Sequence, residues 1–357
     1  MLRPGRKIRL PGHPGAKTRR KMGGRLFSLD LRKVALVSVA SLFLSVPCAY
    51  SQNQSVGGYA QLRYDTDFHQ NGVFSIRRMK MWKKGPVTGA DGWFYKVQIV
   101  ANTRGQGWAY LQEAFAEYHG GGWMVTLGQF VPPFVLQQIQ ADREIPVLER
   151  AAVSDVLHPA ADTDCRDIGV MLSLDRWLGA GHLELGLFNG AGANRLIPPP
   201  GAAMAVGRFL WRFHLPAGQG HVGASFVRRQ LRNAKVPRVL GPATVFSGED
   251  RREGVELVWR LGRLELQSEA IRAQLGPWRA DGSYELATWR LTERASLVVY
   301  HDVLRRPTPF FEHHREVGVG YLWQAPANKV RYWVFLVRPW EAPKWPLLKV
   351  EFQVLFF

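Results

Sequence analysis

Seven basic residues, Arg63, Arg78, Lys80, Lys96, Arg208, Arg212 and Arg260, share one setting: each stands beside an apolar or aromatic residue in a run whose polarity alternates. A period of two is the pattern of a strand with one greasy and one wet face. Cations spaced along the wet face of a narrow, low-dielectric passage attract anions, and a series of weak sites lets them leave again. The carboxylates Glu113, Glu117, Glu184, Glu256, Glu265 and Glu269 fall on the same wet faces. Pairing between neighbouring strands is therefore an alternative account of the bases.

Chemistry of other kinds has little to work with. No stretch resembles a nucleophile elbow, a His-rich zinc signature or a phosphate-cradling glycine loop, and the 10 His are scattered. His313 and His314 read as solvated loop residues, while Gly105-Gln106-Gly107 and Gly120-Gly121-Gly122 are turn formers. The expectation is no catalytic residue, no metal and no cofactor.

The formal charge of +18 is misleading, because residues 1–51 hold 11 Lys/Arg against Asp30 alone, leaving 36 basic and 28 acidic residues beyond them, or +8. That is no nucleic-acid footprint. Within the basic leader, residues 34–46 (VALVSVASLFLSV) form an apolar run too short for a membrane helix, followed by Pro47-Cys48-Ala49-Tyr50-Ser51. This reads as a cleavable signal peptide over residues 1–51. Met22 opens a more ordinary signal, which makes residues 1–21 a candidate mis-called start. Pro47 and Ser45 do not suit a lipobox around Cys48. After cleavage only Cys165 remains, expected as a surface or pore thiol that closes no disulfide.

The elements that would carry the charged faces run through residues 52–357. Ala60, Leu62 and Tyr64 alternate with Gln61, Arg63 and Asp65; Val255, Leu257 and Trp259 with Glu256 and Arg260; Leu348, Val350, Phe352, Val354 and Phe356 with Lys349, Glu351 and Gln353. Sixteen such segments can be placed, centred near residues 61, 78, 97, 113, 126, 170, 185, 208, 224, 256, 268, 286, 299, 319, 332 and 352. The expected fold is all-β, a transmembrane antiparallel β-barrel in the outer membrane of a Gram-negative bacterium. Alternation blurs near 286, 299 and 332, which leaves fourteen or eighteen strands open. Tight connections at 120–122, 261–263 and 325–328 alternate with long ones, which puts both termini in the periplasm. Trp93, Trp108, Trp123, Trp278 and Tyr332 near strand ends suit interfacial girdles. The closing Phe356 and Phe357 resemble the C-terminal signal read by the barrel-assembly machinery, with the alternation in phase with Phe356.

Several ordered motifs resemble those of the phosphate-selective porin O and P family. Residues 74–85 (FSIRRMKMWKKG), 127–134 (LGQFVPPF), 143–150 (REIPVLER), 166–170 (RDIGV) and 185–190 (LGLFNG) carry the likeness, which extends from about residue 57 to 292 and fades in the last quarter. The resemblance implies a homotrimer of sixteen-stranded barrels that take up phosphate or polyphosphate by passive diffusion. It also implies that residues 131–165 fold inward as a constriction loop carrying Arg143, Arg150 and Arg166. A surface flap is the alternative for that segment. Two other readings of the whole chain stay open here: a non-conducting barrel for adhesion or scaffolding, and an outer-membrane hydrolase.

Charge and resemblance pull in opposite directions at this loop. Residues 131–167 hold seven carboxylates against three arginines, an awkward lining for an anion filter. The expectation is a weak anion preference, set by Arg78, Lys80, Lys83 and Lys84 as a positive funnel while the loop acids point away from the lumen.

Overall fold

The structure is a computed structural model that describes residues 55–69, 72–102, 108–195, 203–307, 311, 313–340 and 345–356. The leader at 1–51, the Gly105-Gln106-Gly107 turn, the Trp108 side chain and Phe357 lie outside the described residues. Sixteen antiparallel strands close into one barrel in which each pairs with its sequence neighbours and β1 pairs with β16. They are β1 (Ser55–Thr66), β2 (Val73–Pro86), β3 (Trp93–Asn102), β4 (Trp108–His119), β5 (Trp123–Phe130), β6 (Asp167–Trp177), β7 (Gly181–Phe188) and β8 (Met204–Leu215). The second half comprises β9 (Gly218–Lys235), β10 (Val245–Leu261), β11 (Leu264–Leu275), β12 (Trp278–Arg290), β13 (Ala295–Arg305), β14 (His314–Gln324), β15 (Val330–Pro339) and β16 (Leu347–Phe356). Closure leaves no sheet edge, so every strand finds backbone partners on both sides without water. Among the described residues no helix is long and apolar enough to cross a membrane.

Connections at one rim are tight throughout, from the two-residue turns 216–217 and 262–263 to the six residues 87–92. The other rim carries the long segments 131–166 and 189–203 together with shorter connections, of which the shortest stands out. There β11 and β12 are joined by Gly276 and Pro277 alone, with Gly276 at φ 53°, a left-handed turn position that disfavours a Cβ. β9 and β10 are the longest strands, at 18 and 17 residues, so this side of the barrel stands tall instead of looping out.

Two irregularities explain phase breaks in the sequence. Phe74 and Ile76 are exposed at even positions, whereas Met79 is exposed at an odd one. A register shift opposite Gln61/Leu62 absorbs the change by leaving Arg77 as an extra residue in β2. The same device opposite Gln98/Ile99 makes Gln112 the extra residue of β4, so that Gln112 and Glu113 are both buried.

The apolar core lies within the barrel. Residues 131–166 contain two short helices, α1 (Leu136–Ile139) and α2 (Ala152–Val156), and bring Phe134, Val135, Val153 and Leu157 against Ile271, Tyr284, Val298, Leu304, Trp333 and Phe335. Gly318 and Gly320 leave room on the same inner face for the rings of Tyr300 and Phe335. Much of the inner face of β12, β13 and β15 is thus apolar, as the outside is. That is the physical reason why alternation blurs near 286, 299 and 332. Trp278 belongs to this inner packing and not to a girdle. Trp93, Tyr118 and Trp123 do cluster at the tight-turn rim, with successive ring centroids 5.4 Å apart, and Trp323 stacks on Tyr332 at 4.8 Å.

Candidate functional site

The inner segment touches the wall on two opposite sides, and the first contact is ionic. Asp142 sits among Arg78 (2.9 Å), Lys80 and Arg150, and accepts a hydrogen bond from the Tyr59 hydroxyl at 3.3 Å. Glu149 meets Arg63, Arg77 (2.5 Å) and Arg78 (3.5 Å). Arg63 also donates to Glu351 at 2.9 Å and to the Leu148 carbonyl at 3.0 Å. Burial alone would push both loop carboxyls up. The surrounding cations outweigh it, with Arg150, Arg78 and Lys80 around Asp142 and Arg77, Arg63 and Arg78 around Glu149, and hold both well below the usual carboxylate range.

At the end of the same segment, Arg166 donates to Glu113 at 2.8 Å, and Lys96 reaches the other oxygen of Glu113 at 2.5 Å. Asp164 accepts from Gln112. Arg150 braces the segment from within by donating to the Gln137 and Gln140 carbonyls at 2.6 and 2.8 Å. Arg143 is the more open of the three loop arginines, lying over Trp82 at 5.0 Å and beside Glu144 at 2.7 Å.

On the opposite side two wall carboxylates hold the starts of the loop helices. Glu269 of β11 accepts from the backbone N–H of Leu136 (2.5 Å) and Gln137 (3.2 Å), and Asp302 of β13 from those of Ala152 (2.5 Å) and Val153 (3.5 Å). Neither helix carries a capping side chain of its own. The orphan donors of both first turns are therefore satisfied from the barrel wall.

Beside the segment a cavity of about 540 Å3 remains, lined by six bases (Arg77, Arg78, Lys80, Arg150, Arg238, Lys349) and six acids (Asp142, Glu149, Asp155, Asp164, Asp302, Glu316). The acids are engaged: Asp155 pairs with Arg238 at 2.5 Å and Glu316 accepts from the Tyr300 hydroxyl at 2.5 Å, in addition to the contacts above. Lys349 has no carboxylate at ion-pair distance among the described residues. Cys165 borders this cavity, on the pore side of the surface-or-pore expectation, and is nearly fully buried, which pushes its thiol up.

All seven wall bases face the lumen, but in two groups. Arg63, Arg78, Lys80 and Lys96 meet the inner segment or its partner Glu113. Arg208 forks onto Glu256 (2.7 Å) and Glu184 (3.1 Å), while Arg212 pairs with Asp175 (2.9 Å) and Arg260 with Glu265 (2.6 Å) near the tight-turn rim. Lys83 falls on the outward parity of Met79, so the four bases expected as a funnel do not share one face. Arg77 was missed because strict alternation turns it outward; the phase break between Ile76 and Met79 was the available signal. Phe356 stands opposite Gly58 across the β1–β16 seam, with its ring over the space a Gly58 side chain would fill.

A closed barrel of sixteen strands, with a long inner segment and a charged passage beside it, defines an outer-membrane channel of the porin class. Solved structures agree on the fold: OmpF of Salmonella typhi with daunomycin (TM-score 0.64, 9% identity, 85% of this chain and 97% of that one) and an anion-selective porin from Comamonas acidovorans (0.60, 8%, 85% and 100%). The trimer form of OmpT from Vibrio cholerae is also similar (0.56, 11%, 85% and 99%). No curated protein sequence matches the chain. The profile described as phosphate-selective porin O and P matches residues 50–298, and the chain belongs to that family. It is an outer-membrane porin of a Gram-negative bacterium.

Proposed function

We propose that the chain forms a homotrimer whose barrels each pass small anions of the phosphate class in weak preference to cations, with residues 131–165 as the constriction loop. The observation that carries this reading is the asymmetry of the passage. Its carboxylates are all occupied by cations or N–H and O–H donors, whereas Lys349 has no counter-ion among the described residues. An occupied carboxylate repels an entering anion little, while an unpaired ammonium in a confined passage attracts it. Arg63, Arg78, Lys80 and Lys96 then act mainly by neutralising loop and wall acids. Arg143, Arg150 and Arg166 orient and brace the loop. Export through the leader at 1–51 and assembly through the terminal aromatics Phe356 and Phe357 belong to the same reading.

The test is reversal potential across a planar bilayer under a salt gradient, with cross-linking of the detergent-extracted protein. Stepwise conductance with anion preference and a three-subunit product are expected. Cation selectivity would remove the anion reading, and absence of conductance would favour an adhesive or scaffolding barrel. A monomer on cross-linking would remove the trimer alone.

A further inference from the structure

Outside the lumen, the tall wall of β9–β13 carries a basic lattice that the channel does not use. Exposed Phe226 and Val255 mark the outward parity of β9 and β10, and buried Ile271 and Ala273 flank Arg272 on β11. On that outward parity Arg228 stands directly opposite Arg251, which neighbours Gln274, which in turn neighbours Arg279. In the next row Glu253 neighbours Arg272, then Asp281, then Arg305. With Glu249 there are five arginines against three carboxylates. Glu249 is taken by Arg228 (2.6 Å), Glu253 by Arg251, and Asp281 by both Arg279 (3.1 Å) and Arg305 (2.6 Å). Arg272 is left with no carboxylate at ion-pair distance among the described residues. It borders a depression of about 150 Å3 formed with Arg251, Glu253 and Gln274.

Arg228 and Arg251 stand directly opposite on one face and are each paired with a carboxylate of their own, so the two positive charges in excess on this face centre on Arg272 and on the shared partner Asp281. The inner face of the same strands shows the contrast, since Arg229 and Arg252 there converge on Asp250 at 2.8 and 2.9 Å. The height of this face on the barrel says what surrounds it. Trp289, exposed near the tight-turn end of β12, lies eight residues below Asp281 on the same face. At about 3.3 Å per residue and a strand tilt of about 40°, that separation is roughly 20 Å of membrane depth, close to the apolar band of such barrels. The lattice therefore lies at the headgroup level of the leaflet on the long-loop side.

We propose that this outward face of β9–β12, centred on Arg251 and Arg272, binds the phosphate groups of an acylated, phosphorylated lipid of the outer leaflet. The bound phosphate sits between guanidinium forks, while its acyl chains run down over Ala270, Val255 and Phe226. Guanidinium suits this task because its fork matches phosphate oxygens in pairs.

The test uses full-length protein in phosphatidylcholine nanodiscs titrated with bisphosphorylated lipid A, read by native mass spectrometry. The variants are R251Q/R272Q and R251K/R272K, and gel mobility before and after boiling shows that each barrel is folded. Wild type should retain lipid A, and the Gln pair should retain roughly tenfold less or lower, because each basic group near a headgroup is worth ~1 kcal/mol. The Lys pair, which keeps the charge, should fall between. Equal retention by wild type and the folded Gln pair overturns the proposal. So does displacement of the lipid by millimolar inorganic phosphate, which would mark a free-anion site, or loss of subunit cross-linking in the Gln pair without loss of lipid, which would mark a contact between copies.

Discussion

Along β1, β2 and β4 the inner segment is held by charge, with Asp142, Glu149 and Arg166 each set among opposite partners, whereas along β11–β15 it is held by apolar packing and two helix-capping carboxylates. The two attachments should fail in different ways. A buried carboxylate shared by three cations is cooperative, since removing it takes a counter-charge from all three at once. Apolar packing loses its contribution side chain by side chain. The ionic wall also faces the passage, so damage there must appear in conduction, while damage on the apolar wall need appear only in stability.

Asp142→Asn should produce the largest effect. The substitution keeps shape but removes the counter-ion of Arg78, Lys80 and Arg150, a loss on the order of 3–5 kcal/mol for a buried pair broken from one side. The loop should lift from β1–β2, raising single-channel conductance and strengthening anion preference as three cations are uncovered. A wild-type conductance trace from a folded variant would show that Asp142 does not anchor the loop. On the other wall, Val153→Ala removes two methyl groups from a fully buried position and should cost about 2 kcal/mol. Thermal unfolding in detergent should register that loss with selectivity unchanged; a shifted reversal potential would mean that the walls are not separable in this way.

The contrast also separates what was legible in the sequence from what was not. All sixteen strands could be placed, because lipid on the outside enforces a period of two wherever the inside is wet. The reading weakened at β12, β13 and β15, where the inner face is dry and both parities are apolar. No strand in isolation reveals that its inner face will be covered by a segment more than a hundred residues away. Lumen-facing bases were legible one at a time from their neighbours. Their state was not, because Asp142 and Glu149 reach them from a loop whose path alternation says nothing about. Arg77 was hidden for a more local reason, a bulge that turns two successive arginines inward. Glu269 and Asp302 were hidden because capping residues normally belong to the helix they cap.

Acidification probes the ionic wall next. Asp142 and Glu149 are held well below the usual carboxylate range, so their contribution is fully present above the unfolded value near 4 and is lost only as pH falls through the lower folded values. Single-channel conductance should therefore stay flat from pH 7 to about 4.5 and rise only in stronger acid. A step near pH 6 would assign the anchoring to other groups.

The smallest effect is expected at Lys349, and it distinguishes a free cation from a structural one. Lys349 stands on β16 between Asp65 and Phe335 in register, lines the passage and makes no hydrogen bond or ion pair to the loop among the described residues. Lys349→Gln should lower the anion-to-cation permeability ratio by roughly a factor of two, as expected for one charge in a focused field, with conductance and thermal stability close to wild type. Changing Arg78 and Lys80 together to Gln makes the opposite case. Those cations are consumed by Asp142 and Glu149, so their loss exposes loop carboxylates to the passage, raises conductance and moves the reversal potential toward cations. If the two variants behaved alike, with the same change in permeability ratio and no change in conductance, Arg78 and Lys80 would be acting directly on the solute, and the division between anchoring and conducting bases would have to be abandoned.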